Sequence, residues 1–161
     1  MKSRWLVVAL ALVAAVALAM SVQGTRWWSV EDLGVGPFGS VNCFGGTCKR
    51  SGLAWMGGTD RWARTGMGAG AACLIAMFVL VIVAAAAASR RLPRLAARTA
   101  LMALGTATVT GGLFIAQVPG AAKATIDRGV YQFAAGILVG ILAAVLVLRA
   151  NPLPPSPDAA A

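Results

Sequence analysis

Residues 69–88 read AGAACLIAMFVLVIVAAAAA, a run of 20 residues without a charged side chain. A helix needs about 20 apolar residues to cross the hydrocarbon core of a bilayer, which is roughly 30 Å thick. Three further segments, at residues 5–22, 99–118 and 130–148, are similarly long and contain no Asp, Glu, Lys or Arg. Since lipid offers the backbone no hydrogen-bond partner, each segment has to form a helix. The sequence therefore predicts an all-α membrane protein, with a bundle of four transmembrane helices within residues 1–149.

The composition supports a membrane protein and excludes several kinds of chemistry. Of the 161 residues, 59% are hydrophobic and 12% are charged, whereas soluble domains carry about 25% charged residues. The chain has no histidine, which excludes His-ligated haem, His-containing zinc sites and a Ser-His-Asp triad. The apolar segments also lack the charged groups that ion and proton pathways usually need. We expect no cofactor and no metal site.

The first apolar segment has two interpretations. Lys2 and Arg4 precede it, and Ala17-Leu18-Ala19 has the form of a signal-peptidase site. The apolar run continues past that site to Val22, which favours retention as the first membrane helix. Cleavage is the alternative, and it would leave three membrane spans.

The distribution of Lys and Arg predicts the orientation. Cytoplasmic connections are enriched in these residues. They are dense at the N-terminus, at the end of the fourth segment and between the second and third segments: Lys2, Arg4, Arg90, Arg91, Arg94, Arg98 and Arg149. We expect both termini in the cytoplasm, the loop 23–68 outside the cell membrane and the net charge of +9 to reflect this bias rather than a nucleic-acid partner.

The C-terminal residues 150–161 contain four prolines, which cannot continue a helix. We expect a disordered cytoplasmic tail there.

Small residues mark the surfaces where membrane helices approach closely. The third segment carries Gly105 and Gly112, and the fourth carries Gly136 and Gly140, one turn apart. These glycines predict packing inside the bundle. The alternative is that the Gly136 face binds another subunit. The expected partners are the lipid bilayer and either other membrane proteins or a second copy of this chain.

The loop 23–68 contains the stretch NCFGGTCKR at residues 42–50. Gly45-Gly46 is a dipeptide that favours a two-residue hairpin turn. Pairing Phe44 with Thr47 across that turn places Cys43 opposite Cys48 in a non-hydrogen-bonded pair, where Cα atoms are about 4.5 Å apart. The sequence predicts a β-hairpin held by a Cys43–Cys48 disulfide.

A redox function for these cysteines is the alternative hypothesis. Catalytic pairs usually have two residues between the cysteines, and here there are four. A quinone-linked disulfide oxidase with four helices also needs a second external cysteine pair, and residues 119–129 contain no cysteine.

The same loop is rich in aromatic residues. Trp at a membrane surface often only anchors the interface. That explanation suits Trp62, suits Trp27 and Trp28 in part, and suits Trp55 poorly. We expect Trp27, Trp28, Phe38 and Trp55 to form the loop core or to contact a partner.

The order of these features resembles the claudin and peripheral myelin protein superfamily. In that family the loop after the first helix reads W, then GLW, then two cysteines, with an Arg ahead of the second helix. Trp27 or Trp28 matches the first Trp, Gly36-Pro37-Phe38 stands in place of GLW, and Arg61 or Arg64 matches the Arg. The resemblance implies a four-helix bundle with a small extracellular sheet that works in adhesion, in barrier formation or as an accessory subunit.

We therefore predict a non-enzymatic membrane protein that acts through protein contacts made by its first external loop and its helix faces. A membrane thiol-disulfide oxidoreductase that uses Cys43 and Cys48 is the first alternative. A small channel formed by oligomers is the second.

Overall fold

Four helices account for most of the described chain. The computed structural model describes residues 2–23, 26–53, 60–91, 93–117 and 124–150. In these residues the long helices are α1 (Lys2–Val22), α2 (Asp60–Ser89), α3 (Pro93–Ala116) and α4 (Arg128–Ala150). All four are long and apolar enough to cross a membrane. The prediction of four long apolar helices is confirmed, and their character indicates a membrane protein.

Two helices begin well before the apolar segments from which they were predicted. α2 begins at Asp60 rather than at Ala69, and α3 begins at Pro93 rather than at Thr99. Residues 60–68, which we assigned to the external loop, are therefore helical. The 30 residues of α2 span about 45 Å, more than the roughly 30 Å of a bilayer core. Hydropathy identifies the part of a helix that can lie in the hydrocarbon core. The helix itself continues into residues that pack outside the hydrocarbon core.

The bundle is held together by small residues. α1 packs against α2 and α4, and α3 packs against α2 and, less closely, against α4. Many alanines are fully buried between the helices, together with Leu18, Leu80 and Leu104. Thr106 and Thr108 of α3 donate hydrogen bonds to the carbonyl oxygens four residues earlier, at 3.0 and 2.8 Å. These hydroxyl groups are thus satisfied within their own helix.

A small antiparallel sheet lies at the end of the bundle where α1 ends and α2 begins. Four strands come from the connection between those helices: β1 (Trp28–Val30), β2 (Leu33–Gly36), β3 (Gly39–Phe44) and β4 (Thr47–Ser51). A fifth strand, β5 (Thr125–Ile126), precedes α4. The strand order is β4-β3-β2-β1-β5, so β5 closes one side of the sheet by pairing with β1.

The sequence predicted only the β3–β4 hairpin of this sheet. β1 and β2 are three and four residues long and are joined by a turn at Glu31 and Asp32, where Glu31 has a positive φ of 52°. Such short strands give little alternation to detect. The residues that follow Ala150, and with them nearly all of the predicted disordered tail, lie outside the described part of the chain.

Candidate functional site

The β3–β4 hairpin forms one side of the sheet, with β4 as the terminal strand. Its turn residues Gly45 and Gly46 have φ values of 56° and 82°, which glycine adopts without steric penalty. Phe44 pairs with Thr47, and Cys43 pairs with Cys48. The two cysteines form a disulfide with their Cα atoms 4.0 Å apart. The predicted hairpin and disulfide are therefore confirmed.

One edge of the sheet is β4, and this strand is exposed at every residue. In an antiparallel pair, backbone groups alternate between facing the partner strand and facing away from it. Cys48 opposes Cys43 in a pair without mutual hydrogen bonds, since the Cys43 amide donates to Asp32 on the other side, at 3.3 Å. It follows that the backbone N–H and C=O groups of Cys48 and Arg50 point outward, along the free edge.

The tip of the hairpin carries an exposed aromatic ring. The side chain of Phe44 is 81% exposed, the highest value among the large hydrophobic residues of the described chain. Lys49 and Arg50 follow it on β4 and are also exposed. The hairpin thus combines a free backbone edge, an apolar tip and two cations.

Arg26 connects the hairpin to the bundle, and sequence analysis did not identify it. Its side chain lies across Gly34 of β2, and its Nη2 is 3.6 Å from Cys43 Sγ. Its carbonyl oxygen accepts a hydrogen bond from the Gly129 amide at the start of α4, at 3.0 Å. The only sequence signal was a small residue, Gly34, on a neighbouring strand. Arg26 therefore supports the sheet through its contacts with Gly34 and with the disulfide.

Trp27 and Trp28 lie in the core between the sheet and the bundle. Trp27 is completely buried and Trp28 is 5% exposed. The ring centroid of Trp27 is 5.0 Å from that of Phe133, and the centroid of Trp28 is 5.0 Å from that of Phe114. Both tryptophans are therefore buried where the sheet meets the helices.

Trp62, Phe114 and Phe133 complete this aromatic cluster, and sequence analysis did not assign them to it. We interpreted Trp62 as an interface anchor, yet its side chain is only 4% exposed and its ring stacks on Phe114, with centroids 5.1 Å apart. The indole Nε1 of Trp62 has no hydrogen-bond partner among the described residues. Because α2 extends back to Asp60, Trp62 turns inward with the helix rather than outward with a loop.

Glycines on the helices leave room for these rings. A Cβ atom added at Gly111 of α3 would lie 2.6 Å from Phe133 Cζ. One added at Gly66 of α2 would lie 2.8 Å from Phe114 Cε2. The close approach of ring and backbone places the aromatic cluster against α2 and α3.

Phe38 has an intermediate position. Its side chain is 50% exposed, and its ring lies against Gly70 of α2, where an added Cβ atom would be 2.5 Å from Phe38 Cζ. Trp55, the fourth aromatic residue assigned to the loop, lies outside the described residues.

The four glycines assigned to helix packing fall into two groups. Gly136 and Gly140 are buried: an added Cβ atom would meet Leu18 Cγ at 2.8 Å and Leu104 Cδ1 at 3.1 Å, respectively. The Gly136 face of α4 is thus occupied by α1. Gly105 and Gly112 of α3 are exposed, and a Cβ atom added at either would meet open space.

Cys73 is the remaining cysteine, and its thiol is free. It is fully buried in the core of the bundle, on α2, among small and apolar side chains. Within the part of the chain that the structure describes, no three His, Cys, Asp or Glu residues are grouped so that they could hold a metal ion.

Comparison with known proteins finds no protein family that matches the chain and no significant match among curated proteins. The resemblance to the claudin and peripheral myelin protein superfamily therefore stays a prediction.

Proposed function

We propose that this chain is an integral protein of the cell membrane that binds a partner protein through the β3–β4 hairpin, as a structural or accessory subunit. The observation that carries the proposal is the exposed β4 edge, which lies next to the exposed ring of Phe44 at the end of β3 and is held in register by the Cys43–Cys48 disulfide. An unpaired strand edge readily accepts a strand from another chain. The disulfide reduces the freedom that the hairpin has to lose on binding.

We place the sheet outside the cell and both termini in the cytoplasm. This orientation rests on the concentration of arginines at the end of the bundle opposite the sheet. A disulfide at the sheet end agrees with it, because disulfides persist in oxidising compartments. The packing of α1 supports its retention in the mature protein: Leu18, within the Ala17–Ala19 motif, is fully buried against Gly136.

The proposal retains the resemblance to the claudin and peripheral myelin protein superfamily as a resemblance in the order of helices, sheet and disulfide along the chain. Its support is a disulfide-bearing sheet between the first two helices, with Trp27 at the start of the sheet. Because the Gly136 face of α4 is buried against α1, it is not available to a partner. We therefore propose that the partner binds at the sheet.

The test introduces a photocrosslinking amino acid at position 44 or 49 in intact cells. We expect a discrete adduct from both positions, and an adduct of twice the 16.4 kDa chain mass would identify a second copy as the partner. Position 31, in the turn between β1 and β2 and also exposed, is the matched control. Equal adducts from all three positions, or none from 44 and 49 in a folded protein, would contradict the proposal.

A second test addresses the backbone edge itself. Arg50→Pro removes an amide that points outward while leaving the hydrogen bonds between β3 and β4 in place. We expect Arg50→Pro to abolish the adduct from position 44 and Arg50→Ala to retain most of it. If both variants lose the adduct equally, the arginine side chain rather than the strand edge makes the contact.

A thiol-disulfide oxidoreductase is the second candidate, favoured by the guanidinium of Arg26 at 3.6 Å from Cys43 Sγ. A neighbouring cation stabilises a thiolate and makes it a better nucleophile. This candidate predicts that Cys48→Ser traps mixed disulfides through Cys43, and that adding Arg26→Gln to Cys48→Ser reduces their yield. A structural disulfide predicts no such adducts in the single or the double variant.

A further inference from the structure

A cavity of about 500 Å³ opens at the end of the bundle opposite the sheet. All four helices meet there, because α1 and α3 begin and α2 and α4 end at this level. Its apolar wall includes Leu6, Val7, Leu146 and Val147. Its volume falls in the range of sites that bind small molecules, roughly 300 to 1,000 Å³. We call this cavity, with its lining residues, the arginine pocket.

Three arginines from three different helix ends line the arginine pocket: Arg4, Arg90 and Arg149. Arg90 has a positive φ of 60°, a conformation that glycine adopts more easily than arginine does. The position that turns the chain from α2 towards α3 therefore carries a guanidinium at the pocket, at some conformational cost.

In the described part of the chain, no acidic residue lies at this end of the bundle to balance its positive charge. Six described arginines lie there, within two turns of a helix end or between helices: Arg4, Arg90, Arg91, Arg94, Arg98 and Arg149. The described acidic residues all lie at the sheet end: Glu31, Asp32, Asp60 and Asp127. The lining of the arginine pocket contains no carboxylate. The pocket is thus a cationic site.

Two of the six guanidinium groups also carry a buried donor without a partner. The Nε atoms of Arg4 and Arg94 are buried and make no hydrogen bond to a described residue. Arg4 lines the arginine pocket, whereas Arg94 lies outside its lining. A buried donor left unpaired is destabilising, and an anionic acceptor would satisfy it. Pro93 lines the pocket at the N-terminus of α3, where the helix dipole also favours an anion.

We propose that the arginine pocket binds the phosphate group of an anionic phospholipid, with an acyl chain along the apolar wall. The guanidinium groups match phosphate because they donate paired hydrogen bonds to its oxygens. The apolar wall distinguishes a lipid from free phosphate, and Leu6, which is 54% exposed, places that wall next to surrounding lipid. The neighbouring Trp5, with the Arg4 guanidinium 5.2 Å from its ring centroid, is typical of the headgroup level. The inference rests on the membrane placement proposed above and not on the partner contact of the hairpin.

The experiment measures lipid retention by native mass spectrometry on the purified full chain in detergent. Phosphatidylglycerol and phosphatidylcholine are titrated separately. We expect the wild-type chain to retain one phosphatidylglycerol with an apparent affinity about tenfold higher than for phosphatidylcholine, because the choline cation beside the phosphate of phosphatidylcholine is repelled by the three arginines. Equal retention of the two lipids would overturn the proposal without any variant having to fold.

Two double variants separate the pocket from diffuse charge. Arg4→Gln with Arg149→Gln removes two pocket arginines, and Arg91→Gln with Arg98→Gln removes the same charge from exposed positions outside the pocket lining. We expect the first pair to lose the preference for phosphatidylglycerol and the second to keep it within about twofold. Equal loss in both would overturn the proposal.

Inorganic phosphate, compared with sodium chloride at matched ionic strength, distinguishes a lipid site from a free-anion site. We expect phosphate to displace little bound phosphatidylglycerol. If phosphate competes as well as the lipid binds, the site is for a soluble anion and the lipid assignment is wrong. Because the adduct from position 44 is measured separately, failure here leaves the hairpin proposal untouched.

Discussion

The indole Nε1 of Trp27 donates a hydrogen bond to the carbonyl oxygen of Ser21, at 2.7 Å. Ser21 lies in the last turn of α1, where carbonyl groups lack partners within the helix. The residue that leads into the sheet therefore satisfies the end of the helix before it. Through this hydrogen bond and its ring contact to Phe133, Trp27 joins the sheet to both α1 and α4.

Replacing Trp27 tests this connection. Trp27→Phe keeps an aromatic ring but removes the indole N–H that donates to the Ser21 carbonyl, so we expect a loss of about 0.5–1.5 kcal/mol in the free energy of unfolding. Thermal unfolding in detergent, followed by near-ultraviolet circular dichroism, measures the change. Trp5→Phe, at a side chain that is 58% exposed, serves as the control and should melt like the wild type. Equal melting of the two variants would contradict the role given to the hydrogen bond.

The glycines of α3 and α4 predict opposite responses to alanine. Gly136→Ala places a methyl group 2.8 Å from Leu18 Cγ and should destabilise the α1–α4 contact by about 1–3 kcal/mol. Gly105→Ala and Gly112→Ala meet open space and should be neutral or stabilising by up to about 1 kcal/mol, because alanine favours the helix. Thermal unfolding of the three variants in one detergent checks both signs.

Loss of stability in Gly105→Ala that matched the loss in Gly136→Ala would contradict the arrangement. It would mean that another surface approaches the exposed face of α3.

Removing the disulfide should affect the hairpin and spare the bundle. Cys43 and Cys48 close a short loop, for which the chain-entropy estimate is about 2 kcal/mol. We expect Cys43→Ser with Cys48→Ser to keep the helical circular dichroism spectrum and to speed amide hydrogen exchange in β3 and β4. Cys73→Ala, which removes the free thiol, controls for the loss of sulfur and should leave exchange in the hairpin unchanged. Unfolding of the helices in the double variant would show that the disulfide holds more than the hairpin.

Arg26 predicts a local effect on the same strands. Arg26→Gln removes the guanidinium that lies across Gly34 and approaches Cys43, so exchange in β2 and β3 should rise while the disulfide remains formed. Arg61→Gln, at an exposed position of α2, is the matched control. Hydrogen exchange at peptide resolution distinguishes the two. Identical exchange in both variants would remove Arg26 from the support of the sheet.

The sequence predicted the parts of this fold whose physics is local. An uncharged run such as residues 69–88 predicts a helix because lipid leaves the backbone no other solution. Cys43 and Cys48 were paired correctly because the Gly45-Gly46 turn alone sets their register. Neither inference needed information from a distant part of the chain.

The missed parts depend on contacts between distant residues. β5 forms because Thr125 and Ile126 pair with β1, although α2 and α3 lie between these two strands in the sequence. A strand of two residues carries no periodic signal of its own. Trp62 was misinterpreted because its burial depends on Phe114, which lies on a different helix. Gly105 and Gly136 have similar sequence surroundings, and only the packing of the helices separates the exposed glycine from the buried one.

The central claim is that four helices cross the membrane, with the sheet outside the cell and the arginine end inside it. A chain without its native cysteines, carrying a single new cysteine in place of either Ser29 or Ser89, tests this claim with a maleimide that cannot cross membranes. Both positions are in the described chain, in β1 and at the end of α2. We predict that the cysteine at position 29 is labelled on intact cells and that the cysteine at position 89 is labelled only after the membrane is opened. Labelling at position 89 on intact cells would contradict the account.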